Sequence, residues 1–177
     1  MESFRDTLVA SAAELGHTSG AFRPLDDAEA AEVAAAVERA FGDAANGAMV
    51  GWWHSNRPCP LPTASGCFRE GGGWRHLVAV APDPAAAVWL LAENWSRGRP
   101  PLVAFESTAG VVQAVLGNTH GFEYIVCGRG FDWLFAEDHH DCVSVAGAGV
   151  VERLRRVAEA EPGAAADGGG TTAFPDS

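Results

Sequence analysis

The sequence lacks the long apolar segments of a membrane protein and the basic runs of a nucleic-acid-binding protein. Its hydrophobic stretches are interrupted by charge, glycine or proline, and none approaches the roughly 20 residues that a helix needs to cross a bilayer. Twelve basic residues against 23 acidic ones give a formal charge of -11. Because such a chain repels phosphate backbones and anionic lipid, we expect neither nucleic acid nor a membrane among its partners.

Lysine is absent, so all 12 basic side chains are arginine, and isoleucine occurs only at Ile125. This bias is typical of a GC-rich bacterial genome and carries no information on mechanism. The first six residues include two acids and no basic n-region, which is unlike a secretory signal. We therefore expect an acidic bacterial protein that stays in the cytoplasm.

Cysteine is scarce, with Cys59, Cys67, Cys127 and Cys142 as its only occurrences. Four cysteines suit two disulfides in a small secreted protein, but without an export signal reduced thiols are expected. Their spacing matches no compact zinc motif. The sequence therefore predicts no bound metal and no cofactor.

Catalytic signatures are missing as well. No Gly-x-Ser-x-Gly elbow surrounds a serine, and the run Gly71-Gly72-Gly73 lacks the Lys and Ser or Thr of a phosphate-binding loop. We interpret the glycine run as a turn. These absences favour recognition over catalysis without excluding a small enzyme.

The chain of 177 residues has the length of one ordinary domain. We assign residues 1–162 to a single α+β domain. Residues 163–177 consist mainly of Gly, Ala, Thr, Asp and Pro with a single apolar aromatic side chain, Phe174. Because this segment offers little area to bury, we expect a disordered tail.

Two helices are predicted ahead of any sheet. Apolar residues recur at helical spacing from Glu2 to Leu15. Asp26 or Asp27 is a suitable N-cap for a second helix that ends near Phe41. We expect these helices to cover the elements that follow.

The middle of the chain is predicted to hold a strand at residues 49–53, a long loop and a strand pair. Residues 54–73 are rich in Pro, Gly, Ser and Thr, which predicts a loop that is long for a compact domain. Residues 74–80 and 87–92 are expected to be strands that pair across the turn Pro82-Asp83-Pro84.

The C-terminal half predicts a strand at residues 102–105, a helix capped by Ser107 or Thr108, and a final helix from Val150 to Ala160. Between the helices, residues 122–127, 132–136 and 142–145 are strand-like and are joined by short polar links. The predicted fold class is therefore α+β, a mainly antiparallel sheet with a C-terminal three-stranded meander, covered by helices.

The most suggestive polar segment is the run Glu-Asp-His-His-Asp-Cys at residues 137–142. It concentrates carboxylate, imidazole and thiol groups in one turn, which are the groups of metal ligands and general bases. Adjacent histidines on an extended backbone point to opposite sides, so we expect one to be packed or hydrogen-bonded and the other exposed. The residues that we assign to binding here are Glu137, Asp138, His139 and His140.

Aromatic residues supply a second candidate. Of the six tryptophans, most are expected to fill the core. Trp52 and Trp53 are adjacent, however, and one of them must face away from the other in an extended segment. We include both as candidate binding residues, because an exposed aromatic anchor beside the Pro-rich loop suits recognition.

The segment from Phe122 to Asp141 resembles a group of small bacterial domains in which an aromatic strand leads to a Trp-Leu strand and a Glu-Asn-His-His-Asp turn. It is also similar in style to immunity proteins of the SUKH type. The resemblance implies an α/β binding protein that neutralises a toxin. Asp138 stands where the pattern has Asn.

Charge and resemblance together predict a protein-binding module, an immunity-like neutraliser of a basic toxin, whose partner is a basic protein. The alternative is a small enzyme or small-molecule-binding protein of secondary metabolism. It would use a pocket near the His139-His140 turn and the 54–73 loop.

Overall fold

A computed structural model of the chain describes residues 3–46, 55–68, 71–93, 102–119, 121–161 and 165–167. The helices are α1 (Phe4–Glu14), α2 (Asp27–Phe41), α3 (Leu77–Val80), α4 (Ala109–Asn118) and α5 (Ala148–Ala160), with 3₁₀ helices at Gly42–Ala45 and Gly73–His76. The strands are β1 (Arg23–Pro24), β2 (Thr63–Cys67), β3 (Ala87–Glu93), β4 (Leu102–Thr108), β5 (Tyr124–Gly128), β6 (Leu134–Glu137), β7 (Cys142–Ala146) and β8 (Ala165–Asp167). Within these ranges, no helix has the length and apolar character to cross a bilayer.

The described strands form one antiparallel sheet in the order β1-β4-β3-β5-β6-β7-β2-β8. The predicted α+β class is confirmed. The predicted meander is confirmed as β5-β6-β7, whose neighbouring strands pair antiparallel. The links between these strands are too short for any other pairing. In the first link, the Phe131 N–H donates to the Gly128 carbonyl at 2.9 Å.

Helices cover both faces of the sheet. One face packs against α1, α3, α4 and α5, and the other against α2 and the 3₁₀ helix that follows it. All five residues of β5 are therefore buried. The two N-terminal helices cover the sheet as expected, and they do so from opposite faces.

Two helix starts follow the predicted capping chemistry. Asp26 caps α2 by accepting from the Glu29 N–H at 2.8 Å, and Glu29 bonds back to the Asp26 N–H. Thr108 caps α4 through the Val111 N–H. Both caps are local interactions, which explains why the sequence alone indicates them.

The predicted strand at residues 74–80 is wrong, because this segment is the 3₁₀ helix Gly73–His76 followed by α3. The expected pairing with β3 is also wrong, since β3 pairs with β4 and β5. The physical reason lies elsewhere in the chain. The carboxylate of Glu137 accepts backbone N–H groups at the start of this helix, and a negative charge at that end stabilises helical backbone.

The 54–73 segment is not a continuous loop, because it contains β2. This strand joins the sheet beside β7, and Cys67 lies directly opposite Cys142. The two cysteines form a disulfide with Cα atoms 4.0 Å apart. The expectation of reduced thiols therefore fails for this pair, while Cys59 and Cys127 are free.

Part of the segment expected to be a tail belongs to the sheet. Residues 165–167 form β8 and pair with β2 across Ser65, Gly66 and Cys67. Backbone hydrogen bonds to an open sheet edge need no apolar side chains, and composition does not reveal them. Residues 168–177, and the strand expected at residues 49–53, lie outside the described residues.

Candidate functional site

A cavity of about 400 Å³ opens at the end of the meander, between the 3₁₀ helix at Gly73–His76, the end of α4 and the β6–β7 turn. Its floor consists of buried residues, Leu116, Tyr124 and Glu137. Trp74 and Phe122 are half-buried in its walls, and its rim includes Asp138, His139 and Asp141. A pocket was expected near the His139-His140 turn and the 54–73 segment. The described lining of this cavity contains His139 and, from that segment, Gly71 and Gly72, but not His140.

Glu137 is the structural centre of the cavity floor. It is the last residue of β6 and is 4% exposed. Its carboxylate accepts from the Tyr124 hydroxyl and from the backbone N–H groups of Gly73 and Trp74. Burial raises the pKa of Glu137, and these hydrogen bonds oppose that shift. Glu137 was expected in the turn as a binding residue, and the structure places it instead in β6, buried beneath the cavity.

Gly73 permits this arrangement because a side chain has no room there. A Cβ atom built on Gly73 would lie 2.1 Å from Cγ2 of Val143 and 3.2 Å from Oε1 of Glu137. The backbone of the 3₁₀ helix therefore approaches the sheet closely enough to donate its N–H. The glycine run does form a turn, with positive φ angles at Gly71 and Gly72, but a helix follows it where a strand was expected.

Two contacts hold the aromatic walls. A Cβ atom on Gly117 of α4 would lie 2.8 Å from Cη2 and Cζ3 of Trp74, so the indole packs closely against that helix. The Phe122 ring meets Phe4 of α1 edge to face, with ring centres 5.1 Å apart. Both wall rings are positioned by helices that pack on the same face of the sheet.

Asp138 organises the β6–β7 turn. Its Oδ1 accepts from the His140 N–H at 2.8 Å and from the Cys142 N–H at 3.0 Å. An asparagine has the same oxygen at this position, so the departure from the Glu-Asn-His-His-Asp pattern keeps the local hydrogen bonds and adds a charge. The turn ends at Asp141, whose φ of 58° lies in the left-handed region that Asp and Asn tolerate best.

His139 and His140 do not point to opposite sides. Their ring centres are 3.8 Å apart, because these residues form a turn and not an extended strand. Both are exposed. His139 differs from its neighbour in one respect, since its Nδ1 lies 2.5 Å from Oε1 of Glu123, and Glu123 is fully buried.

Two buried carboxyl groups continue inward from His139. Glu93 ends β3, Glu123 precedes β5, and the Glu93 N–H donates to the Glu123 carbonyl at 2.9 Å. The two carboxyl groups are also hydrogen-bonded. Glu93 is 7% exposed, and its Oε2 has no partner among the described residues. Glu93, Glu123 and His139 thus form a chain of titratable groups from the protein interior to the surface.

Burial raises the pKa of Glu93 from 4.5 to about 7, and its hydrogen bond to Glu123 acts in the same direction. The hydrogen bond with Glu123 raises the pKa of His139. There is therefore a pH range in which Glu93 and His139 are protonated in the native protein but deprotonated in the unfolded chain. Since the native state binds more protons there, its stability falls as the pH rises.

We expect the free energy of unfolding to decrease between pH 4.5 and about 7, with a Glu93 contribution of at most about 3 kcal/mol. A Glu93→Gln variant has the shape of the protonated acid and should match the wild type at pH 5 but exceed its stability at pH 8. Urea unfolding across this range measures both proteins. Glu32→Gln, at an exposed position of α2, is the control, and a Glu93→Gln difference that does not depend on pH would contradict the assignment.

The remaining predicted site residues are Trp52 and Trp53, which lie outside the described residues. Within the described ranges, no group of three or more His, Cys, Asp or Glu side chains is arranged to hold a metal ion.

Sequence reasoning missed Glu93, Glu123 and Trp74 as site residues. The first two carry a visible signal, because each is a single acid next to an apolar strand, at Leu-Leu-Ala-Glu and at Phe-Glu-Tyr. A carboxyl group at such a place is buried with the strand and needs a partner.

No protein-family model matches this chain, and no match was found among curated proteins or solved structures.

Proposed function

We propose that this protein is a protein-binding module that recognises a basic protein and neutralises a basic toxin in the manner of an immunity protein. One observation supports this most directly, the acidic rim of the cavity. Among the described residues, the Asp141 carboxylate and Oδ2 of Asp138 form no hydrogen bond or salt bridge, and the charge of Asp138 acts on the neighbouring His139. No arginine is among the described residues that line the cavity.

The charge of the whole chain supports the same proposal. A formal charge of -11 attracts a cationic partner over a distance set by salt, about 8 Å at physiological ionic strength. Complementary charge of this kind increases the rate of association and rejects acidic competitors. In this proposal, the rim carboxylates of Asp138 and Asp141 form the contact with the cationic partner.

The alternative, a small enzyme or small-molecule-binding protein, has its own supporting observation. A buried carboxylate that bonds Nδ1 of a half-exposed imidazole orients that ring, and the Glu123–His139 pair beside the cavity has this arrangement. Such a pair is typical of a general base.

The experiment is affinity capture from the protein's own host with two variants of equal charge. Asp138→Asn/Asp141→Asn removes both rim charges while the asparagines keep the turn bonds and the left-handed φ. Glu32→Gln/Glu38→Gln removes two exposed charges from α2, on the other face of the sheet. We expect the wild type and the α2 variant to capture the same basic protein from the host. In titrations with this purified partner, the rim variant should bind it about tenfold more weakly than the wild type does.

Its affinity for the wild type should also decrease as salt is added. Equal retention by the rim variant and the α2 variant would contradict the proposal. If instead no host protein distinguishes the variants, and a small molecule changes tryptophan fluorescence in the wild type but not in His139→Gln, the enzyme or ligand-binding alternative replaces it.

A further inference from the structure

We propose that the cavity at the end of the meander receives one arginine side chain of the protein partner, whose guanidinium group stacks on the aromatic walls and bonds the rim carboxylates. This inference rests on the proposed function, because it names the part of a basic partner that the site holds. It is carried by the shape of the cavity, its aromatic walls and the unpaired oxygens on its rim.

The size of the cavity suits a single long side chain. Its volume of about 400 Å³ lies near the lower end of the range of ligand sites, roughly 300–1,000 Å³. The floor is closed by buried side chains whose polar atoms are already bonded, since the Glu137 carboxylate accepts from Tyr124 and from the backbone. An entering group therefore meets apolar surface and the rim, without an unpaired polar atom of Glu137 beneath it.

The rim supplies the charge that a cation needs. Asp138 has its Oδ2 free of described partners, and Asp141 has both carboxylate oxygens free. The charge of Asp141 reaches the floor, because it contributes to raising the pKa of both Glu137 and Tyr124. The one basic group in the described lining, His139, is paired with the carboxylate of Glu123, so its positive charge is compensated locally.

The walls distinguish arginine from lysine. Trp74 and Phe122 are both half-buried, so each ring leaves part of its surface in the cavity. A guanidinium group is flat, stacks on aromatic faces and presents several N–H donors in one plane. An ammonium group is compact, more strongly hydrated and cannot stack. Two aromatic walls with carboxylates at the opening therefore fit arginine better.

Arg75, an arginine of the protein itself that lies next to the cavity, does not occupy this role. Arg75 contacts the Gly71–Gly72 backbone but is bonded to the Gly72 carbonyl and to Glu161, at 3.2 and 3.0 Å. Its guanidinium group is thus directed toward the end of α5. No arginine side chain of the described ranges therefore lines the cavity.

The test uses small blocked amino acids, so that it does not depend on knowing the partner. N-acetyl-arginine amide is titrated into the isotope-labelled wild type, and amide and indole signals of the cavity residues are followed by NMR. We expect saturable shifts at Trp74, Phe122 and the 138–141 turn, with a Kd on the order of 1–10 mM for one isolated side chain. The citrulline analogue, which has the same shape without charge, should bind at least about tenfold more weakly, and the lysine analogue should also bind more weakly.

The variant pair of the previous section supplies the matched controls. In Asp138→Asn/Asp141→Asn, the chemical-shift changes caused by N-acetyl-arginine amide should be mostly lost. In Glu32→Gln/Glu38→Gln, they should match those of the wild type. The dispersion of the NMR spectrum shows that each variant is folded. Equal binding of citrulline, equal or tighter binding of lysine, equal losses in both variants, or shifts confined to residues outside the cavity would each overturn the inference.

Failure of this inference is separable from failure of the proposed function. Suppose that a host partner binds through the rim charges but arginine does not bind in the cavity. Protein recognition would then stand, and the inference that the cavity holds an arginine of the partner would fail. Saturable arginine binding without any host partner would show that the cavity prefers arginine but does not serve protein recognition. That result would overturn the inference that a partner's arginine occupies the cavity.

Discussion

Replacing Glu137 with alanine is expected to lower the free energy of unfolding by about 4 kcal/mol, because three buried donors lose one charged acceptor. The donors are the Tyr124 hydroxyl and the backbone N–H groups of Gly73 and Trp74. The substitution also removes the negative charge from the start of the helix at residues 73–80. Urea unfolding measures the loss, and amide hydrogen exchange at Leu77–Val80 should show that this helix opens first.

Two further variants show whether the loss comes from the hydrogen bonds of Glu137 or from substitution of a glutamate in general. Tyr124→Phe removes one of the three donors and should cost about 1–2 kcal/mol. Glu38→Ala, at an exposed position of α2, should stay within about 0.5 kcal/mol of the wild type. If Glu137→Ala cost no more than the Glu38 control, Glu137 would not hold the helix to the sheet.

Removing the Cys67–Cys142 disulfide is expected to lower stability by up to roughly 4 kcal/mol on chain-entropy grounds, because the cross-link spans 75 residues. The double variant Cys67→Ser/Cys142→Ser avoids mispaired thiols and is compared with Cys59→Ser, which changes a free cysteine. Urea unfolding measures the difference. We expect the double variant to lose several times more stability than the Cys59 control.

Thiol counting tests the cross-link itself. Alkylation of the unfolded protein without reductant should modify two cysteines, Cys59 and Cys127, and all four after reduction. If four cysteines were modified without reductant, the Cys67–Cys142 disulfide would be absent, as the sequence alone predicted. The same experiment on intact cells bears on location, because disulfides persist mainly in oxidising compartments, whereas the sequence predicts the cytoplasm.

The segments that sequence predicted well are those whose stabilising partners lie nearby. The meander follows from three apolar runs joined by short links, and the starts of α2 and α4 follow from Asp26 and Thr108. In each case the interaction spans a few residues, so periodicity and capping chemistry contain the information.

The segments predicted wrongly depend on distant partners. Residues 74–80 are helical because Glu137, 64 residues beyond Gly73 in the sequence, caps their first turn. Strand β2 forms because β7 and β8 lie on either side of it, although its own composition is that of a loop. His139 and His140 meet because Asp138 folds the chain into a turn there, where an extended backbone would have separated them.

The sequence by itself determined the α+β class, the antiparallel meander, the excess of negative charge and the concentration of polar groups at residues 137–142. Only the tertiary structure decided which of those groups are available. It buried Glu137 as a structural acceptor, linked His139 to Glu123 and Glu93, and left Asp138 and Asp141 with unpaired oxygens at the mouth of a cavity. The physical reason is that charge and periodicity are properties of the chain, whereas burial and hydrogen-bond pairing depend on which distant residues the fold brings together.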